Sequence, residues 1–257
     1  MAFNERQKEI IRLLQSNVSV ETNKLSEMFG VSPVTIRRDF DFLEQKGLIT
    51  TIYGGAIINR TMSDPFFTEE DIKQKRLDER RQMAKIAAGM IRPGQTVLLD
   101  AGSTIKNIAI ELLSKTDITV LTNSILVINV LAQTGNDVRV FSLPGQFRKS
   151  SMCFFGVTTA KFLDQVHVDY AFMGGAGFSY ERGLTTTDLE EAHTKMKMAE
   201  IADNTVAFVD HWKIGQNSSF TAVALRDIDT LITGSGGDSE QLAKLAKTDI
   251  NIIEIPP

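Results

Sequence analysis

The 257-residue chain contains a single cysteine, Cys153, which excludes an intrachain disulfide and any cysteine-rich zinc module. Its three histidines, His167, His193 and His211, are too scattered in sequence to suggest a metal site, and no cofactor is expected. Proline is scarce, at six residues, while 42% of the chain is hydrophobic and 23% charged; this is a globular composition, neither disordered nor fibrous. Apolar runs such as Ile125–Ala132 are broken well short of the roughly 20 residues that span a bilayer. The opening MAFNERQKEI puts Glu and Lys where a signal peptide needs its apolar core, so a cytoplasmic protein without membrane contact is expected. An excess of either charge is missing too. Residues 1–60 carry eight Lys/Arg against seven Asp/Glu, and the remainder twenty against twenty-five, for a net charge of −4. A near-neutral start beside an acidic remainder permits DNA binding without arguing for it.

What is present is pattern. Asn4 is placed to cap a helix whose apolar positions Ile10, Ile11, Leu13 and Leu14 recur at helical spacing, ending near Ser16–Asn17. The polar stretch from Ser19 reads as a turn, followed by a short helix through Lys24–Phe29 that Gly30 ends in the left-handed conformation. Ser32 caps the next helix with Pro33 in its first position, where a missing N–H costs nothing. That third helix is expected from Val34 to about Lys46, with Val34, Ile36, Phe40 and Leu43 largely inward and Gly47 closing it. Leu48–Ile58, β-branched around Gly54-Gly55, reads as a two-stranded hairpin.

Two short helices at a glycine turn followed by a hairpin describe a winged helix-turn-helix, whose third helix enters the major groove of double-stranded DNA by its N-terminal end. Ser32, Pro33, Thr35, Arg37 and Arg38 then face DNA. Arginine forks read guanine edges or clamp phosphates, and successive arginines cannot both face the same way. Thr50, Thr51 and Tyr53 are the wing candidates. The competing interpretation is a small helical domain whose arginines are solvated and neutralised by Asp39, Asp41 and Glu44. The string from Val31 to Ile49, VSPVTIRRDFDFLEQKGLI, followed by Gly54-Gly55-Ala56, resembles the signature of the DeoR family of bacterial repressors across nearly all of residues 4–58. Thr51 and Tyr53 depart from it, standing near positions where family members usually carry Arg and His.

Residues 59–82 read as a linker, turn-rich through Asn59–Phe67 and then charged from Glu69 to Arg81, a solvated arm merging into a helix with Met83, Ile86, Ala87 and Met90 buried. Residues 83–257 then alternate strands with helices. Strands are expected at Thr96–Asp100, Ile118–Thr122, Asp137–Leu143, Tyr170–Met173, Val206–Asp210 and Thr230–Thr233, and helices at Thr104–Leu113, Ser124–Ala132 and Leu189–Asp203. Such alternation predicts an α/β domain with a mostly parallel sheet covered on both faces, binding ligands beyond the carboxyl ends of its strands.

The residues at those ends suit an anionic, hydroxylated ligand. Asp100, Gly102, Ser103 and Thr104 follow the first strand, where backbone N–H groups and hydroxyls can cradle a phosphate. Thr122 and Asn123 follow the second, Gly145 and Arg148 the third, Gly174 and Gly175 the fourth, and Asp210 and Lys213 the fifth. Lys195 supplies a cation from a helix. Each signal alone is weak; their convergence on one rim carries the expectation.

The strings LDAGSTI (99–105), VLTNS (120–124), GLTT (183–186), EAHTK (191–195) and VDHWKIG (209–215) resemble the DeoR-family sensor domain, which is similar in turn to ribose-5-phosphate isomerase. Gln146 and Ala176 depart from the family pattern. The resemblance implies a transcription regulator, a repressor of sugar or sugar-alcohol use, that binds operator DNA and a phosphorylated sugar or polyol as a homodimer or homotetramer. The alternatives are an isomerase-like enzyme and a metabolite-binding protein that does not touch DNA. Isomerisation needs a base beside a carbonyl, yet Phe172–Gly177 holds no carboxylate and Lys195 stands where the isomerases carry their glutamate. Binding without turnover is therefore expected.

Overall fold

A computed structural model describes residues 4–16, 19–46, 48–52, 54–58, 69–133, 135 and 137–256. The chain forms two compact units, Met1–Arg76 and Leu77–Pro257.

The first unit contains α1 (Glu5–Ser16), β1 (Ser19–Glu21), α2 (Thr22–Phe29), α3 (Pro33–Gln45), β2 (Ile49–Ile52) and β3 (Gly55–Ile58). Its boundaries follow local chemistry. Asn4 Oδ1 accepts from the Gln7 N–H at 2.8 Å, Gly30 ends α2 at φ 63°, and Ser32 Oγ accepts from the Thr35 N–H at 3.2 Å with Pro33 in the first turn. Ile10, Ile11, Leu14, Leu25, Ile36, Phe40, Leu43 and Ile49 form the core. Three expectations are corrected here. The segment from Ser19 is a strand, because Ser19, Val20 and Glu21 pair with Ile57, Ala56 and Gly55, so the wing sheet has three strands in the order β1-β3-β2. Val34 is 55% exposed; the first turn of α3 projects beyond the core that Ile36 and Phe40 enter. Thr35 is half-buried rather than exposed. Asn17, Gly47, Tyr53 and the proposed linker residues 59–68 lie outside the described residues.

Helix α4 (Glu69–Met90) begins well before the expected arm ends. It is followed by β4 (Thr96–Leu99), α5 (Lys106–Leu112), β5 (Ile118–Thr122), α6 (Ile125–Leu131), β6 (Val138–Ser142), β7 (Gln146–Arg148), β8 (Cys153–Phe155), α7 (Val157–Leu163), β9 (Val168–Met173), β10 (Gly177–Ser179), β11 (Gly183–Thr186), α8 (Leu189–Glu200), β12 (Ala202–Phe208), β13 (Phe220–Val223), β14 (Thr230–Gly234), α9 (Ser239–Leu245) and β15 (Asn251–Ile255). Asp203, expected in a helix, opens into β12, since α8 stops at Glu200. Seven strands form one sheet, β15-β14-β12-β9-β4-β5-β6, with every pairing parallel. All seven carboxyl ends therefore lie on one edge.

Alternation along the strands sorts the core. Val97 and Leu99 join Val120, Phe172 and Phe208 under Met83, Ala87, Ile108 and Val127 of α4, α5 and α6. Leu98 and Leu121 join Ala171, Met173 and Ala207 on the other face, under Leu163, Met198 and Leu245 of α7, α8 and α9. Each fully buried large side chain such as Phe172 contributes about 1.5–3 kcal/mol. A small antiparallel sheet, β10-β11-β13, adds Phe178, Leu184 and Val223 to the second cluster. Among the described residues no helix is long and apolar enough to cross a membrane.

Candidate functional site

At the carboxyl edge, β4 delivers Asp100 and β9 delivers Gly174 and Gly175. Asp100 has no exposed surface. Its Oδ2 is paired with Lys195 Nζ and accepts from the Gly174 N–H at 3.3 Å. Lys195 reaches the edge from α8, whose N-terminus Asp188 caps by accepting from the Glu191 N–H at 2.9 Å. Lys195 also lies 3.3 Å from Glu191 Oε1. Burial raises the Asp100 carboxyl above its ordinary value, against the pull of Lys195. Burial would lower Lys195, but the charges of Asp100 and Glu191 outweigh it and the ammonium is held above its ordinary value. Two facing carboxylates favour the ammonium form of Lys195 over the neutral amine that a base would need.

The next strand, β12, ends in a second buried carboxylate, Asp210. Arg80 of α4 binds it with two prongs, Nε to Oδ1 at 2.7 Å and Nη2 to Oδ2 at 3.0 Å. Thr104 Oγ1 donates to Oδ2 at 3.3 Å, and Lys213 Nζ lies 3.6 Å away while donating to the Gly175 carbonyl at 2.8 Å. Burial lowers the Lys213 ammonium, reinforced by Arg80 and Lys195 and opposed by Asp210. Contacts thus form two adjoining groups, Asp100 with Gly174 and Lys195 and Asp210 with Arg80, Thr104 and Lys213, which reaches Gly175; the groups meet at the Gly174–Gly175 peptide. Between β4 and α5, the N–H groups of Gly102, Ser103, Thr104 and Ile105 donate to no acceptor among the described residues, and Ser103 is exposed.

The other rim residues are arranged differently. Thr122 and Asn123 end β5 fully buried, and the Phe154 N–H of β8 donates to the Asn123 carbonyl at 2.8 Å. Gly145 packs closely on Phe155 and Thr159. Arg148 is committed to Asp188 at 3.1 Å and Glu190 at 3.0 Å, with its guanidinium 4.7 Å from the Phe155 ring centroid. Among the described residues no contact joins Gly145 or Arg148 to Asp100 or Asp210, so these two frame the rim instead of completing the cluster. Sequence reasoning missed Arg80, which it assigned to the linker. The missed signal was spacing: Arg80 precedes Ala84 and Ala87 by four and seven residues, which puts it on the buried face of α4.

In the first unit, Arg37 and Arg38 on α3 are exposed. The carboxylates that could neutralise them are engaged elsewhere. Asp39 takes Arg6 at 2.6 Å and Gln7 at 2.9 Å, and Glu44 takes the Thr51 N–H at 2.7 Å and hydroxyl at 2.9 Å. Asp41 is exposed and forms no ion pair with either arginine among the described residues. Two uncompensated guanidinium groups beside the Ser32 cap make this helix end an anion-binding surface.

The DeoR-like helix-turn-helix domain model matches residues 6–62, and the DeoR C terminal sensor domain model matches residues 75–235. A candidate aga operon transcriptional repressor of Escherichia coli O157:H7 is 33% identical over 97% of this chain and 93% of its own length. The lactose phosphotransferase system repressor of Streptococcus mutans is 29% identical over 96% of this chain and 98% of its own. A solved ribose 5-phosphate isomerase A of Methanocaldococcus jannaschii overlaps 54% of each chain at 19% identity with a TM-score of 0.39.

Proposed function

This chain belongs to the DeoR family of transcriptional regulators, and from that premise we propose that it represses a sugar or sugar-alcohol utilisation operon until a phosphorylated sugar or polyol binds its C-terminal unit. It is a regulator, not an enzyme. That assignment accords with the cationic Lys195 and with the lack of a carboxylate in Phe172–Gly177. In the proposed division of labour, residues 1–58 contact operator DNA, 83–257 bind effector, and 59–82 join them in the cytoplasm. Arg80 is the exception, contributing to the effector rim from within the joining segment.

One observation carries the effector reading: four adjacent N–H groups, Gly102 to Ile105, have no acceptor among the described residues and lie beside an exposed serine hydroxyl. The nearby cations are paired, with Lys195, Lys213, Arg80 and Arg148 facing Asp100, Glu191, Asp210, Asp188 and Glu190. A phosphate is therefore held chiefly by backbone dipoles, as at other strand–turn–helix sites, with Lys195 and Lys213 offsetting carboxylate repulsion. Asp100, Thr104, Thr122, Asn123, Gly174, Gly175, Gly145, Arg148 and Asp210 shape the rest of the rim. On the DNA side, Arg37 and Arg38 divide base reading and phosphate clamping, with Ser32, Pro33 and Thr35 at the helix end; Tyr53 remains a wing candidate. One recognition helix per chain and paired half-sites favour a homodimer or homotetramer.

The test is a thermal-shift and operator-release series on the full chain with hexose, pentose and polyol phosphates and their unphosphorylated parents. A native-state ligand raises the melting temperature with its concentration over its dissociation constant. The expected result is a shift that needs the phosphate, is lost in Ser103→Glu, and coincides with release from DNA. A shift from the unphosphorylated parent alone, or none from any compound, overturns the phosphate reading.

A further inference from the structure

Four buried side-chain polar atoms have no hydrogen-bond partner among the described residues: Asp100 Oδ1, Asn123 Nδ2, Asn123 Oδ1 and Thr233 Oγ1. Three of the four belong to residues that are neighbours in space. Leu99 and Thr122 are register partners in the parallel β4–β5 ladder, so the residues that follow, Asp100 and Asn123, leave the sheet side by side. Neither has exposed surface. Unmade bonds at buried polar atoms are costly, so each such atom calls for a partner, whether an ordered water, an ion or a ligand.

The chemistry of the missing partner can be read from the atoms. Asp100 Oδ2 is committed to Lys195 and the Gly174 N–H, which fixes the carboxylate and leaves Oδ1 as an acceptor. Asn123 is anchored through its carbonyl to the Phe154 N–H, and its amide offers a donor and an acceptor. The complement is a group that donates to Oδ1 and accepts from Nδ2, with a second donor for Asn123 Oδ1. Hydroxyls on adjacent carbons supply this set. A phosphate or carboxylate does not, because it has no proton for Asp100 Oδ1 and meets its charge in a water-poor setting. Buried Cys153, in the strand β8 that covers Asn123, adds a weakly polar wall.

We propose that Asp100 and Asn123 are the specificity pair of the effector site, reading vicinal hydroxyls on the uncharged carbon chain of a sugar or polyol. The pair works apart from the turn at Gly102–Ile105 that takes the phosphate. This rests on the effector reading above but makes a separable claim. It requires the β7–β8 hairpin over Asn123 to shift when ligand enters.

The experiment compares wild type with Asn123→Leu in the full chain, by calorimetric titration with hexitol and hexose phosphates, their mono-deoxy analogues, their unphosphorylated parents and inorganic phosphate. Asn123→Leu removes an amide that has no partner, so the unliganded variant is expected to melt no lower than wild type. Its affinity for the hydroxylated phosphates is expected to fall roughly ten- to hundredfold, while inorganic phosphate binds both proteins equally. One deoxy analogue loses a similar factor on wild type and nothing further on the variant. Unchanged affinity in Asn123→Leu overturns the proposal, as does a lowered melting temperature that accounts for the lost binding. If phosphate proves irrelevant but the unphosphorylated parents bind wild type and not the variant, the specificity pair stands and the phosphate reading falls. If no hydroxylated compound binds wild type, both fall.

Discussion

Arg80 and Asp210, 130 residues apart in sequence, form a two-pronged ion pair in which the carboxylate is fully buried and the guanidinium one-fifth exposed. Arg80 also lies 5.6 Å from the centroid of the Trp212 ring, and the hydrogen bond to Asp210 raises its already high pKa against the effect of burial. The neighbouring Glu79 accepts from His211 Nδ1 at 2.7 Å and from its N–H at 3.3 Å. Helix α4 is thus fastened to the end of β12 at the same carboxylate that receives Thr104 and Lys213.

Arg80→Ala leaves the Asp210 carboxylate with Thr104 and a Lys213 ammonium 3.6 Å away. Removing one member of a buried pair costs about 3–5 kcal/mol, and the partial exposure of Arg80 places the expected loss near the lower end. Urea denaturation measures it. Asp210→Asn made in the Arg80→Ala background should recover part of the loss, because the unpaired charge is then gone. Single-variant costs that simply add would show that the ion pair is not the source.

Asp188 gives a pH signature. Its carboxyl is held below its ordinary value of 3.8, chiefly by the Glu191 N–H that it caps and with help from Arg148, against the opposing effect of burial. A depressed carboxyl contributes stability that is fully present above its unfolded pKa and is lost as pH falls through the lower folded value. Asp188→Ala should cost about 1 kcal/mol at neutral pH, the usual worth of an N-cap, and the difference from wild type should begin to shrink below pH 3.8 and go on shrinking as pH falls through the lower folded value. Asp188→Asn keeps a capping oxygen and should lose less. A difference that persists undiminished at low pH contradicts the assignment.

How much of this was legible in the sequence depended on how far each signal had to reach. Gly30, Ser32 and Pro33 mark helix ends through interactions within a few residues, and the structure has them there. The apolar runs Thr96–Leu99 and Ile118–Thr122 are buried on both faces and stand out as central strands. Strand β1 did not stand out, because Ser-Val-Glu becomes a strand through partners Ile57, Ala56 and Gly55 far along the chain. Strands β10, β11 and β13 are three or four residues long and rich in Gly, Ser and Thr; they owe their burial to packing in the second core cluster. At the site, strand-end residues were visible by type, but their pairing was not. Only the fold places Arg80 on Asp210 and leaves Asp100 Oδ1 and the Asn123 side-chain amide without hydrogen-bond partners among the described residues.

Two glycines of the rim share a positive φ but differ in what a side chain would meet. A Cβ on Gly145 meets Thr159 Oγ1 at 2.4 Å and the Phe155 carbonyl at 2.6 Å, and Thr159 is tied down by its bond to the Pro144 carbonyl at 2.6 Å. Gly145 also sits at φ +157°, so Gly145→Ala should cost about 1–3 kcal/mol from overpacking, with backbone strain added to it. A Cβ on Gly102 meets nothing within 4 Å, but φ there is +146°, so Gly102→Ala should cost about 1 kcal/mol or more through backbone strain alone. A second-site Thr159→Ala, which removes the oxygen that the Cβ meets, should relieve part of the first variant's cost relative to Thr159→Ala alone and leave the second unchanged. Equal response of both variants would contradict the distinction.

The DNA surface makes the last prediction. With Asp39 and Glu44 committed to Arg6, Gln7 and Thr51, the charges of Arg37 and Arg38 are free to replace counterions on DNA. Each phosphate contact contributes about 0.9 to the slope of log affinity against log salt. For a duplex selected from a random pool by the wild-type chain, alanine at the phosphate-clamping arginine should lower that slope by about one and weaken all sequences alike. Alanine at the base-reading arginine should change the slope less and cost about 1–3 kcal/mol at a single base position. Because successive residues on a helix point about 100° apart, the two effects should fall on different variants. Binding that keeps both its slope and its sequence preference in the double variant Arg37→Ala, Arg38→Ala would remove α3 from the interface and leave the wing sheet as the element to test.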